Sequence, residues 1–145
     1  MILNGFYTIT NKDGEHRTFR IRTQPDDAKF APGERIIGLL NGPDNGRDYE
    51  QFGFVKDDRV TVWTKKRGQG KMSAFDWYAF LIRKGSEALV GEDGVQAAAD
   101  FTAGGREYCI QAARHCVRCN RLLTTPESVR RGCGDECAKK MGLAA

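Results

Sequence analysis

Residues 3–23 read LNGFYTITNKDGEHRTFRIRT. In the first half, Leu3, Tyr7 and Ile9 fall on one side of an extended chain. In the second half Phe19 and Ile21 share a side, while Thr18, Arg20 and Arg22 take the other. Side chains alternate across a strand with a period of two, so each half reads as a strand with one apolar face. Between them, Asn11 to Gly14 supplies residues that tolerate positive φ and close a tight turn. The stretch is therefore a β-hairpin, and the chain is expected to open as an antiparallel sheet.

Downstream, QPDDAKFAPG (24–33) is a loop punctuated by Pro25, Pro32 and Gly33. ERIIGLL (34–40) is a short apolar run and a third strand, and NGPDNGRD (41–48) is a turn-rich connection. YEQFGFV and RVTVW, separated by Lys56, Asp57 and Asp58, make a second hairpin. Five mainly antiparallel strands are expected, as a small curled sheet or open barrel.

After the basic link KKRGQGK (65–71) the period changes. Phe75, Tyr78, Ala79 and Ile82 are spaced i, i+3, i+4, i+7, which is one stripe of a helix. Ser73 is its expected N-cap and Gly85 its expected stop. Residues 85–94 are expected to form a loop, residues 95–102 a second helix capped by Asp93, and residues 106–114 a third short helix beyond Gly104-Gly105. The expected organisation is an antiparallel β part with its basic link over 1–71, a helical segment over 72–114 and a metal module over 115–145, an α+β chain throughout.

That module is read from the cysteines. The chain has 145 residues and five cysteines, four of them in Cys116-x2-Cys119, thirteen residues, then Cys133-x3-Cys137. Two close pairs joined by a returning loop suit the tetrahedral shell of Zn²⁺. A redox C-x-x-C would be expected after a strand in a βαβ unit, and none is evident. Cys116, Cys119, Cys133 and Cys137 are the candidate ligands of one structural zinc. His115 is an alternative ligand. Cys109 reads as a small buried hydrophobe. A shell of four cysteines leaves no open position, so the metal is expected to fold the segment and to do no chemistry.

The stretch HCVRCNRLLTTPESVRRGCGDECAKK (115–140) resembles a small, uncharacterised zinc-binding module of phage and actinobacterial proteins. Its pattern, C-x-x-C-x-R-x-L-T-x-x-x-S-x-x-x-G-x-G-x-x-C, falls here on Cys116, Cys119, Arg121, Leu123, Thr124, Ser128, Gly132, Gly134 and Cys137. Members often carry an apolar residue at the place of Cys133 and Pro at that of Asp135, which leaves His115 or an upstream group as an alternative fourth ligand. The resemblance implies zinc binding, often a phage origin, and no established activity. A β-rich part commonly precedes the module.

Net charge is +4, with 29% charged and 40% hydrophobic residues. That excess permits contact with nucleic acid without demanding it. The candidate phosphate contacts are Arg20 and Arg22 on the second strand, Lys65, Lys66, Arg67 and Lys71 in the link, and Arg118, Arg121, Arg130 and Arg131 in the module. Tyr7, Trp63 or Trp77 would stack bases if exposed on the same side, although aromatics in strands and amphipathic helices are usually core. With two histidines and no nucleophile elbow, zincin or phosphate-loop motif, catalysis is not expected.

The chain is thus expected to bind DNA or RNA through a basic surface. The alternatives are a protein-binding inhibitor or adaptor of a host or defence machine, recognising its partner through loops such as residues 44–48, and an assembly component that pairs a sheet edge with another chain. No apolar run approaches membrane-spanning length and no signal peptide is visible, so the expected location is the cytoplasm, that of the host if the chain is phage-encoded.

Overall fold

The computed structural model describes residues 2–44, 47–91, 94–95 and 97–113. The expected first hairpin is formed by β1 (Gly5–Asn11) and β2 (His16–Thr23), with Tyr7 opposite Phe19 and Thr8 opposite Thr18. The turn is held by the Asn11 side chain, whose Oδ1 accepts from the backbone N–H groups of Asp13 and Glu15. β3 (Arg35–Leu40) and β4 (Tyr49–Lys56) add antiparallel neighbours, and β5 (Arg59–Val62) returns beside β4 through the Asp57-Asp58 turn. Asp57 adopts φ +52° there, a conformation Asp tolerates better than most residues.

Helix α1 (Ala74–Leu89) begins with a capping box. Ser73 Oγ accepts from Asp76 N–H at 3.2 Å, and Asp76 Oδ2 accepts from Ser73 N–H at 2.9 Å. The helix does not stop at Gly85 as expected. Gly85 is buried within it, and a Cβ there would stand 2.7 Å from Ile110 Cδ1 and 3.2 Å from Phe101 Cε1. Its glycine serves close approach of helix to sheet rather than termination. Residues 85–89, expected as loop, therefore belong to α1.

The two further helices expected after α1 are strands. A two-residue pair, β6 (Val90–Gly91) with β7 (Gly94–Val95), leads into β8 (Ala98–Ala103) and β9 (Arg106–Ala113). Gly104 and Gly105, at φ +57° and +75°, close this hairpin in two residues, and positive φ at both positions is what such a turn needs. Among the described residues of 72–114, the helix is thus Ala74–Leu89 alone. β9 pairs with β1, so the chain returns to the sheet it began with.

The main sheet runs β5-β4-β3-β2-β1-β9-β8. α1 packs against β8 and β5, the two edge strands, and also against β9. One helix touches both edges because the sheet curls around it, as an antiparallel half-barrel in an α+β fold. The core fills the space between. Tyr7, Ile9, Phe19, Ile21, Ile37, Phe52, Val55 and Ile110 come from the sheet, and Ala79, Leu81, Ile82 and Leu89 from the helix. Ile2 joins them, whereas Leu3, expected on the apolar face, is exposed and accepts a hydrogen bond from the Tyr7 hydroxyl at 2.6 Å. Among the described residues, no helix is long and apolar enough to cross a membrane.

Candidate nucleic-acid interface

Because Tyr7, Ile9, Phe19 and Ile21 point inward, alternation sends Phe6, Thr8 and Thr10 of β1, and Thr18, Arg20 and Arg22 of β2, to the outer face. This face departs from the solvated surface expected of it. Thr8 and Thr18 are buried, and their hydroxyls hydrogen-bond to each other at 2.9 Å. Arg20 is buried too. Its guanidinium lies 4.5 Å from the centre of the Tyr49 ring, which also stands 5.9 Å from the Phe6 ring. Burial, aided by the Arg22 charge, pulls the Arg20 guanidinium below its ordinary pKa. The Tyr49 phenol is pushed up to about 12, mainly by burial, against the opposing pull of Arg20.

A second row crosses the same face one step along the strands. Arg22 stands opposite Ile36, Ile36 opposite Phe54 and Phe54 opposite Thr61. Phe30, from the loop between β2 and β3, lies against Phe54 at 6.3 Å with the rings near parallel, and against Trp63 at 5.3 Å edge-on. Gln24 holds that loop in place, donating from Nε2 to the Phe30 carbonyl at 3.1 Å. Phe30 is 51% exposed and Arg22 is exposed, so a ring and a guanidinium are open on one face.

The basic link lies elsewhere. Lys65 and Lys66 form a short 3-10 turn (Thr64–Lys66) where β5 gives way to α1. Lys66 is engaged. Its Nζ pairs with Glu50 Oε2 at 2.9 Å and lies 5.3 Å from the Phe75 ring centre. Its hydrogen bond holds the Glu50 carboxyl below the usual range. Arg67 donates from Nε to the Val62 carbonyl at 2.7 Å, while Lys65 and Lys71 are exposed. Glu50, the partner of Lys66, stands opposite Leu39, near the other end of β3 from the Ile36 that faces Arg22. The link and the Arg20–Arg22 pair therefore form two separate basic regions.

Of the aromatic residues singled out, Tyr7 is buried in the core and Trp77 packs against it, 5.4 Å from Phe80. Only Trp63 belongs to the outer cluster. Phe30, the ring most open to a ligand, had a quiet signal, an aromatic between Lys29 and Ala31 in a Pro- and Gly-punctuated loop. Arg59 and Arg83, also basic and exposed, carried none, being single charges on a strand and a helix.

Cys116, Cys119, Cys133 and Cys137, with His115, Arg118, Arg121, Arg130 and Arg131, lie outside the described residues. Among the described residues, no group of three His, Cys, Asp or Glu side chains is placed to hold a metal. Cys109 is half-buried on β9, opposite Thr10.

A family model described as a family of unknown function (DUF6011) matches residues 112–142, a span that takes in all four cysteines of the paired motif. No curated protein and no solved structure matches the chain.

Proposed function

We propose that this chain binds nucleic acid, DNA or RNA, through its outer sheet face and a C-terminal segment organised by one structural Zn²⁺ on Cys116, Cys119, Cys133 and Cys137. The observation that carries the nucleic-acid reading is the half-exposed Phe30 ring beside the Phe54 and Trp63 rings, with the exposed Arg22 guanidinium in the row that contains Phe54. Unpaired bases stack on such rings and a guanidinium takes the backbone phosphate. The zinc reading is supported by the spacing of the four thiols. No catalytic step is part of the proposal. Lys65 and Lys71, exposed at the other basic region, would add phosphate contacts.

The test is salt. A labelled single-stranded oligonucleotide is titrated with the full chain and followed by anisotropy. Affinity should fall steeply between about 50 mM and about 200 mM salt, as counterion release requires. Phe30→Ser and Arg22→Gln should each weaken binding several-fold. Failure to bind at low salt ends the proposal.

A second reading has one observation in its favour. The described residues of the loop before β4, 41–44 and 47–48, are tied by their own bonds: Asp44 N–H donates to Asp48 Oδ2 at 2.8 Å, Asn41 N–H to the Asp48 carbonyl at 2.8 Å, and Arg47 pairs with Asp44 at 3.1 Å. A loop set in advance loses little entropy on binding and would suit recognition of a host protein. Recovery of one host protein after nuclease treatment, lost when Asp48 is changed to Ala, would favour this inhibitor or adaptor role.

A further inference from the structure

α1 and the edge strand β5 meet along a seam. The helix contributes Asp76, Phe80, Arg83 and Glu87, which recur every three or four residues and so lie on one side of it. A hollow of about 340 Å³ opens there, lined by Arg59 of β5, Arg67 of the following turn, and Arg83, Phe80 and Asp76 of the helix. A smaller hollow of about 210 Å³ shares Arg83 and is lined also by Ser86 and by the carboxylates Asp58 and Glu87.

Three arginines line the larger hollow against one carboxylate, Asp76, whose charge is shared between Arg67 and nearby hydrogen-bond donors. Asp76 Oδ2 already accepts from Gly68 N–H at 2.9 Å, Ser73 N–H at 2.9 Å and Ser73 Oγ at 3.0 Å. Among the described residues, no ion pair involves Arg59, Arg67 or Arg83. Among the described residues, Arg67 makes one side-chain hydrogen bond, from Nε to the Val62 carbonyl, which leaves its terminal amino groups without a hydrogen-bond partner there. Arg83 is braced by the Phe80 ring, 5.5 Å from its guanidinium carbon. Beyond it, the Ser86 hydroxyl is 8% exposed, lines the smaller hollow and has no hydrogen-bond partner among the described residues. A buried hydroxyl without a partner is a cost that a bound acceptor removes.

We propose that this seam is a phosphate-binding site. Guanidiniums present paired donors that match the oxygens of a phosphate group, and their planar forks recognise it better than lysines would. Bound there, the phosphate accepts from Arg59, Arg67 and Arg83. The site deepens the nucleic-acid reading, and rests on it only for the source of the phosphate, a backbone diester rather than a small free ligand.

The test uses the full chain and two probes, inorganic pyrophosphate and a single-stranded oligonucleotide. Pyrophosphate should shift the Nε–H resonances of Arg59, Arg67 and Arg83 saturably and leave that of the exposed Arg106 unmoved. The double variant R59Q/R83Q, which spares the Arg67–Val62 bond, should keep the fold. At about 0.1 M salt it should bind the oligonucleotide roughly 25-fold more weakly, with a salt slope shallower by about 1.4, the loss of two single-strand contacts. R106Q should bind as the parent does. Pyrophosphate that shifts the three arginines in a chain that ignores the oligonucleotide supports the site with a small phosphate ligand, and overturns the nucleic-acid source. Arginines that pyrophosphate leaves unmoved, or a double variant that binds the oligonucleotide like the parent, overturn the seam.

Discussion

The two faces of the curled sheet are built from the same strands by alternation, interrupted by a register shift between β3 and β4 at Ile37–Gly38, yet they are held together by different physics. Inward, Phe19, Ile37, Phe52 and Ile110 are shielded from water against α1 by apolar contact alone. Outward, several central side chains are buried as well, and among them are specific polar pairs. Thr8 meets Thr18, and Arg20 lies on Tyr49. Apolar burial is non-directional and tolerates repacking, whereas a buried hydroxyl or guanidinium is stable only beside its own partner. The difference teaches that the inner face is what makes this chain fold, while the outer face is where its chemistry is particular.

That contrast can be broken most forcefully from the inside. Phe19→Ala removes a fully buried ring from the middle of the core and should cost about 3–5 kcal/mol in urea unfolding, a large share of a small domain's stability. A loss below about 1 kcal/mol would mean that the helix does not fill the half-barrel as described. Next in size is the anchor of that helix. Asp76→Ala removes the capping box and the bond to Gly68, and should cost about 1–2 kcal/mol. Hydrogen bonds from Gly68 and Ser73 hold the Asp76 carboxyl below its ordinary pKa. Its contribution is therefore complete above the ordinary carboxylate range and is lost as pH falls through the lowered value, so the variant should show a flatter acid limb in a pH–stability profile.

The outer face is sharpened by smaller effects. Thr8→Val leaves the Thr18 hydroxyl buried without its partner and should cost about 1 kcal/mol. The double change of Thr8 and Thr18 to Val should restore most of that loss, since both polar groups are then gone. Equal costs for the single and double variants would show that the hydroxyls are solvated. Smallest is a spectroscopic signature. In an alkaline absorbance titration, Tyr49 should ionise near pH 12, and Tyr7, also raised by burial, above the ordinary tyrosine value. The raised value means that Tyr49 favours the folded state fully below pH about 10, and that this contribution fades as pH climbs toward 12.

How far the sequence disclosed this depended on which signal dominated locally. The β1–β2 hairpin was legible because Tyr7, Ile9, Phe19 and Ile21 alternate cleanly around a turn of Asn, Asp and Gly. The start of α1 was legible because Ser73 and Asp76 carry capping chemistry. β8 was misread because Ala97, Ala98 and Ala99 favour helix, and sheet pairing with β9 overrode that propensity. The overlooked clue was Gly104-Gly105, two glycines between two runs of strand length. Arg20 was placed on the correct face, but its burial under Tyr49 depends on a strand paired two positions away across β3, which no local pattern encodes. Arg59, Arg67 and Arg83 are far apart in sequence and meet only because α1 packs back against β5.

The proposal that zinc and nucleic-acid binding belong to one chain meets its most direct test in a native mass measurement of reduced protein taken from cells, with and without chelator. One zinc per chain is expected, removed by chelator together with any bound nucleic acid. Reduced protein that carries no metal, yet holds nucleic acid unchanged, would contradict the account.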